Sequence, residues 1–183
     1  MNILVIGYKG DKNLKQATFL QVLFLPILSE LEKIHHIDYS EGPAKVHGVD
    51  IQEDLIVQAN DSIETLQLSE EKKGNISFSF GLLENFKLDE KFDYIIASEV
   101  LEHIRDIELF VDKCKELLKP NGCILISTPV GHACDSFDHL NHFMDEAELL
   151  KYFKEFTNTV YRARPLSTTK NPVGFFLKAE KNE

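Results

Sequence analysis

Residues 92–104, FDYIIASEVLEHI, and residues 117–129, LLKPNGCILISTP, decide the fold. FDYIIAS (92–98) and CILISTP (123–129) are short apolar runs of the kind found in strands covered on both faces. Between them ELFVDKCKELL (108–118) spaces its apolar residues as an amphipathic helix does, and the Pro/Gly turn KPNG (119–122) is expected to stop it. A strand, a helix and a second buried strand form a crossover that returns the chain parallel to itself. The pattern extends outward in both directions. Upstream, residues 2–8 read as a strand and 14–33 as a helix interrupted by Pro26. KIHHIDYS (33–40) and AKVHGVDI (44–51) are strand candidates, EDLIVQANDSIETLQL (53–68) is a helix, and NISFSFG (75–81) alternates as a strand. Downstream come a helix near 145–155 and two strands, NTVYRARPL (158–166) and VGFFLKAE (173–180). Alternating strand and helix over the first 130 residues predict an α/β, doubly wound, mostly parallel sheet, with the two late strands as an antiparallel edge.

Composition narrows the function classes. With 183 residues and 43% hydrophobic positions the chain can close one core, so residues 1–183 are expected to form a single domain. A formal net charge of −10 repels polyanions, and the sequence carries no basic patch to offset it, which excludes a nucleic-acid partner and favours small molecules. The longest apolar stretch, ATFLQVLFLPIL (17–28), is broken by Pro26 and is too short to span a bilayer. MNILVIG enters a strand directly, without the basic start of a signal peptide, so a cytoplasmic protein with no membrane partner is expected. Three cysteines, Cys114, Cys123 and Cys134, lack metal-site spacing and read as reduced thiols.

In such sheets ligands sit beyond the carboxyl ends of the strands. Four strand ends are informative: GYKG (7–10), GVDI (48–51), SEVLEH (98–103) and STPVGH (127–132). Together with their spacing they make the chain similar to the class I S-adenosylmethionine-dependent methyltransferases, most strongly over residues 45–153. KVHGVDIQEDLIVQA resembles the family's second motif, and FDYIIASEVLEHI with LLKPNGCILISTP resembles its fourth motif, crossover helix and fifth strand. The resemblance implies a Rossmann-like seven-stranded sheet with an antiparallel last strand and S-adenosyl-L-methionine as cofactor. It implies that Gly7, Tyr8 and Gly10 approach the methionine end, that Asp50 receives both ribose hydroxyls, and that Ile51 covers the adenine, with Leu83 and Ser98 completing the contacts. A carboxylate suits the ribose because it can accept from two hydroxyls at once. Asp50 can also cap the helix that follows it, and Asp38, at the end of another strand candidate, is the alternative ribose acid.

The chain departs from the family in three places. Tyr8 and Lys9 stand between Gly7 and Gly10, and Val5 or Ile6 stands where an acid is common. The interval from Gly10 to Asp50 is about twice the usual length. After NISFSFG the chain has Gly81, Leu82 and Leu83 where the family often has an adenine-binding aspartate, leaving Glu84 as the nearest acid. A methyltransferase-like binding or scaffold subunit without cofactor therefore stands as the alternative. Glu99, Glu102 and His103 reproduce the E-x-x-E-H pattern that looks like the divalent-metal site of ubiquinone-pathway and small-RNA methyltransferases, with Mg²⁺ as one candidate ion and His132, His139 or His142 as a later ligand. The competing reading gives that loop to fold support. His103 and His132 are the candidate general bases, since an imidazole titrates near neutrality. The expected reaction moves a methyl group to an oxygen of a small molecule, sugar or glycan precursor. Because the sequence starts at the first strand, loop 129–143 is expected to select the acceptor, with a homodimer as the arrangement that would let a second subunit assist.

Overall fold

The computed structural model describes residues 1–7, 45–65, 69–131, 138–163 and 174–183. The helix expected over 14–33, the strand candidate KIHHIDYS, and Tyr8, Gly10, Asp38, His132 and Cys134 lie outside the described residues.

The strands are β1 (Asn2–Ile6), β2 (Lys45–Asp50), β3 (Ile76–Phe80), β4 (Phe92–Ser98), β5 (Leu118–Pro129), β6 (Phe156–Ala163) and β7 (Gly174–Lys181). The helices are α1 (Glu53–Thr65), α2 (Glu70–Lys73), α3 (Ile107–Leu117) and α4 (Glu146–Leu150), with 3-10 turns at Leu83–Asn85 and Leu101–His103. The strands form one seven-stranded sheet in the order β3-β2-β1-β4-β5-β7-β6. β7 runs antiparallel to β5 and β6, and the remaining strand pairs are parallel. This is the doubly wound sheet that the alternating pattern predicts, with the reversed last strand that the family resemblance implies; of the two late strands only β7 is antiparallel, and β6 runs with the rest.

Strand alternation sorts the apolar residues to two faces. Leu4, Ile6, Ile95, Ala97, Ile124 and Ile126 join the larger core cluster, while Ile3, Val5, Val46, Ile96, Cys123 and Leu125 form the smaller one. The larger cluster is closed by α3, which buries Ile107, Phe110, Val111, Cys114 and Leu117. That helix starts where Asp106 accepts a hydrogen bond from the Leu109 amide at 2.9 Å, satisfying an amide that would otherwise lack a partner. One expectation needs correcting. KPNG does not precede β5 but lies within it: Leu118 already pairs with Phe92, and the ladder resumes after an irregularity with Tyr94 opposite Cys123. Asn121, at φ 61°, makes the bend, as short polar residues can.

β1 has β2 on one side and β4 on the other, so strand order reverses between β1 and β4. The carboxyl ends of β1, β2, β4 and β5 therefore surround the crevice that this class of sheet uses for ligands.

Candidate functional site

At the end of β2, Asp50 is 2% exposed. Its Oδ1 accepts from the Gln52 amide at 2.8 Å, a turn two residues long that precedes α1 at Glu53, so Asp50 stands before the helix rather than at its N-cap. Burial pushes its carboxyl up to about 6, opposed by the backbone hydrogen bond from Gln52. The neighbouring strand ends are tied to it through the backbone: Gly7 donates to the Val49 carbonyl and Gly81 to the Asp50 carbonyl, both at 2.8 Å. Gly81 has φ +139°, outside the range side chains favour, and lets the chain fold over the end of β3. The resulting crevice is lined by Gly7, Ile51, Leu83, Glu84, Ile104 and Phe110 among others. Three expected cofactor residues, Gly7, Ile51 and Leu83, thus come together with Asp50 directly before Ile51. Leu82, 45% exposed, adds an apolar rim where the family often has an acid.

The turn after β4 is built differently. Val100 and Leu101 are fully buried and Glu102 is 1% exposed, so EVLEH folds into the protein. The Glu102 carbonyl accepts from the amides of Leu140 and Asn141 at 2.6 and 3.0 Å. Asn141 Nδ2 donates to the carbonyls of Leu101 and Ile104 at 3.0 and 2.7 Å. Sequence reasoning passed over Asn141, because its role depends on a contact about forty residues away along the chain. The Glu102 carboxylate accepts from Thr128 Oγ1 at 3.2 Å, and burial pushes it up to about 7, with the nearby Glu99 charge adding to the rise. His103 Nδ1 donates to the Asp138 carbonyl at 3.1 Å, and its Nε2 lies 3.9 Å from Glu102 Oε1.

The expected metal set is partly redrawn. Glu102, His103 and His139 bring one ligand atom each to within 4.8 Å of one another, and the rings of His103 and His139 meet edge to face at 4.9 Å. Glu99 does not belong to this group. Its Oε1 accepts from Ser127 Oγ at 2.8 Å, because the backbone turns through φ 54° at this residue and lays the side chain over β5. His142 donates to the Gly131 carbonyl at 3.3 Å and its ring lies 6.2 Å from that of His139. Ser98, an expected cofactor residue, bonds to Ser127 Oγ at 2.7 Å on β5.

Comparison with known proteins agrees with this architecture. A methyltransferase-domain family model matches residues 29–169, and the chain belongs to the class I S-adenosylmethionine-dependent methyltransferases. Among curated proteins it is similar to the ubiquinone biosynthesis O-methyltransferase of Nitrobacter winogradskyi, 38% identical over 85 residues, which are 46% of this chain and 30% of that protein. The corresponding protein of Chelativorans sp. is 54% identical over 39 residues, 21% of this chain and 15% of that one. The chain spans less than a third of the length of these curated relatives. Among solved structures it resembles the N-methyltransferase NodS of Bradyrhizobium japonicum in complex with S-adenosylhomocysteine, with a TM-score of 0.66 and 17% identity over all of this chain and 78% of that one. A methyltransferase from Methanosarcina mazei gives a TM-score of 0.62 at 16% identity, covering 99% and 92%. At these identities the structural likeness establishes the fold alone.

Proposed function

We propose that the chain transfers a methyl group from S-adenosylmethionine to an oxygen of a small-molecule acceptor. The observation that carries this reading is the buried Asp50 carboxyl at the end of β2, beside the strand-order reversal. It fits the cofactor by its own chemistry: a desolvated carboxyl that accepts from the backbone amides of Gln52 and Ile51 gains further from the two hydroxyls of a ribose. Ile51 and Leu82 offer apolar cover for an adenine face, and Gly7 lets the backbone come close at the end of β1. When bound, the cofactor supplies an electrophilic methyl group; the protein's work is to orient both partners and to receive a proton. Calorimetric titration with S-adenosylhomocysteine tests the reading. Binding at micromolar strength supports it, and no binding at millimolar ligand would favour the scaffold alternative. The relatives named as ubiquinone biosynthesis O-methyltransferases support transfer to oxygen.

A second reading rests on the Glu102–His103–His139 group. One carboxylate and two imidazoles, with His103 oriented by a backbone carbonyl, suit a transition ion such as Mn²⁺ better than Mg²⁺, which prefers oxygen. Titration with Mn²⁺ should raise the melting temperature of the protein but not of its His139→Ala variant; equal behaviour of the two would leave the loop to fold support.

A further inference from the structure

Among the described strands the two edges of the sheet are β3 and β6, and they are finished differently. An edge strand presents a row of backbone donors and acceptors, and charged or tethered side chains are the usual means of keeping another strand off it. β6 is finished in this way. Arg162 Nε donates to Glu146 Oε1 at 2.6 Å, Thr157 Oγ1 donates to Asn182 Oδ1 at 2.8 Å, and Asn158 Nδ2 donates to the carbonyls of Phe153 and Phe156. β3, ISFSF, carries neither a charged residue nor a proline. Phe80 at its end is 53% exposed, and Leu82 just beyond is 45% exposed.

The backbone of β3 fixes what fits against it. The Asn75 carbonyl accepts from the Val46 amide and the Gly81 amide donates to the Asp50 carbonyl, both at 2.8 Å, so the odd-numbered residues turn their backbone groups toward β2. Successive strand residues point these groups to opposite sides, and Ile76 and Phe80 therefore turn theirs outward. Two such residues, four apart, are self-complementary about a two-fold axis. In an antiparallel pair, Ile76 of one copy lies opposite Phe80 of the other, the reverse holds at the other end, and each pair exchanges two hydrogen bonds. Each pair also sets a β-branched side chain against an aromatic one, a favourable cross-strand combination.

The charges agree with that arrangement. With a net charge of −10 two copies repel wherever their acids meet, and an uncharged strand is where close approach costs least. Lys72, exposed at the end of α2, precedes the strand, and Glu84 follows it. Antiparallel pairing brings the lysine flank of each copy toward the glutamate flank of the other.

We infer that β3 is a docking edge for a second copy of this chain, joined antiparallel about a two-fold axis so that the two sheets become one. The inference stands on the sheet and is independent of the methyltransferase reading.

Sedimentation velocity on the full chain, across a concentration series, tests it. The expected result is a monomer–dimer equilibrium with a Kd on the order of micromolar, the strength of a small interface. At ten times that Kd, hydrogen exchange of the Ile76 and Phe80 amides should slow by about tenfold relative to dilute protein. Phe80→Pro removes an outward amide and no bond of the ladder to β2, at a place where an edge strand tolerates proline, and should weaken the dimer by about tenfold or more. Should that variant fail to fold, Phe80→Lys, which keeps the backbone and puts a charge on the edge, replaces it. Tyr161→Lys makes the matching change on β6, where Tyr161 is 43% exposed, and should leave the dimer as it is. A chain that stays monomeric at every concentration would overturn the inference. A dimer indifferent to substitution at Phe80, or one lost in Tyr161→Lys, would overturn it too, since either places the contact elsewhere.

Discussion

The end of β2 and the turn after β4 each bury one carboxyl group, and burial raises both, Asp50 to about 6 and Glu102 to about 7. Their surroundings differ. Asp50 accepts from the backbone amides of its own turn, Gln52 and Ile51, and leads straight into a crevice lined by Gly7, Ile51 and Leu83. Glu102 is sewn in: its carbonyl holds Leu140 and Asn141, its carboxylate meets Thr128, and Asn141 closes over Leu101 and Ile104. A buried acid with few protein partners beside a crevice is placed for a ligand, whereas one joined to a distant loop organises the fold around it. Two buried carboxyls, one at the end of β2 and one in the turn after β4, therefore differ in what satisfies them.

The sharpest way to break this contrast is Asp50→Ala. If the carboxylate binds a ribose, S-adenosylhomocysteine affinity should fall by about 1.5–3 kcal/mol, roughly 10- to 150-fold, while the lost hydrogen bond to the Gln52 amide lowers the melting temperature by only about 2–4 °C. Measured by calorimetry, an unchanged affinity would hand the ribose to another residue, with Asp38 the first to try. Asn141→Ala should do the reverse. Two backbone carbonyls lose their donor, costing about 2 kcal/mol and lowering the melting temperature by about 4–8 °C for a chain of this size, while ligand affinity holds. An Asn141→Ala protein that melts like wild type would mean that the turn after β4 stands without its partner loop.

How much of this was legible in the sequence follows the same division. The described strands and the crossover α3 are written in local apolar periodicity, the reversal of β7, which lies between β5 and β6, is not, and Asp50 is visible because a strand, an acid and a helix are consecutive along the chain. The satisfaction of Glu102 by Asn141 and Thr128 is not legible, because it joins segments brought together only by the sheet. For the same reason EVLEH reads as three ligands in a row, although a left-handed residue at Glu99 turns its carboxylate to Ser127 and His139 lies beside Glu102 and His103 instead. KPNG carries the signal of a terminating turn; the pairing of Leu118 with Phe92, a tertiary fact, absorbs it into β5.

The smallest expected effect is on stability against pH. Both carboxyls have folded-state values above their unfolded ones, so between about pH 4 and about pH 7 the folded chain binds more protons than the unfolded chain. The stability they contribute is fully present below their unfolded values and is lost as pH rises through about 6 for Asp50 and about 7 for Glu102. His47 works in the opposite sense, because burial lowers its value and favours its neutral form in the fold. The wild-type profile is therefore a partial cancellation, and a difference between proteins isolates one group. Glu102→Gln keeps the volume and removes the charge, so measured with chelator present its stability should gain on wild type by about 1–2 kcal/mol between pH 5 and pH 8. Chemical denaturation at the two pH values measures that gain. A constant offset between the two proteins would mean that Glu102 ionises in the fold as readily as in the unfolded chain, and the contrast with Asp50 would then rest on hydrogen bonds alone.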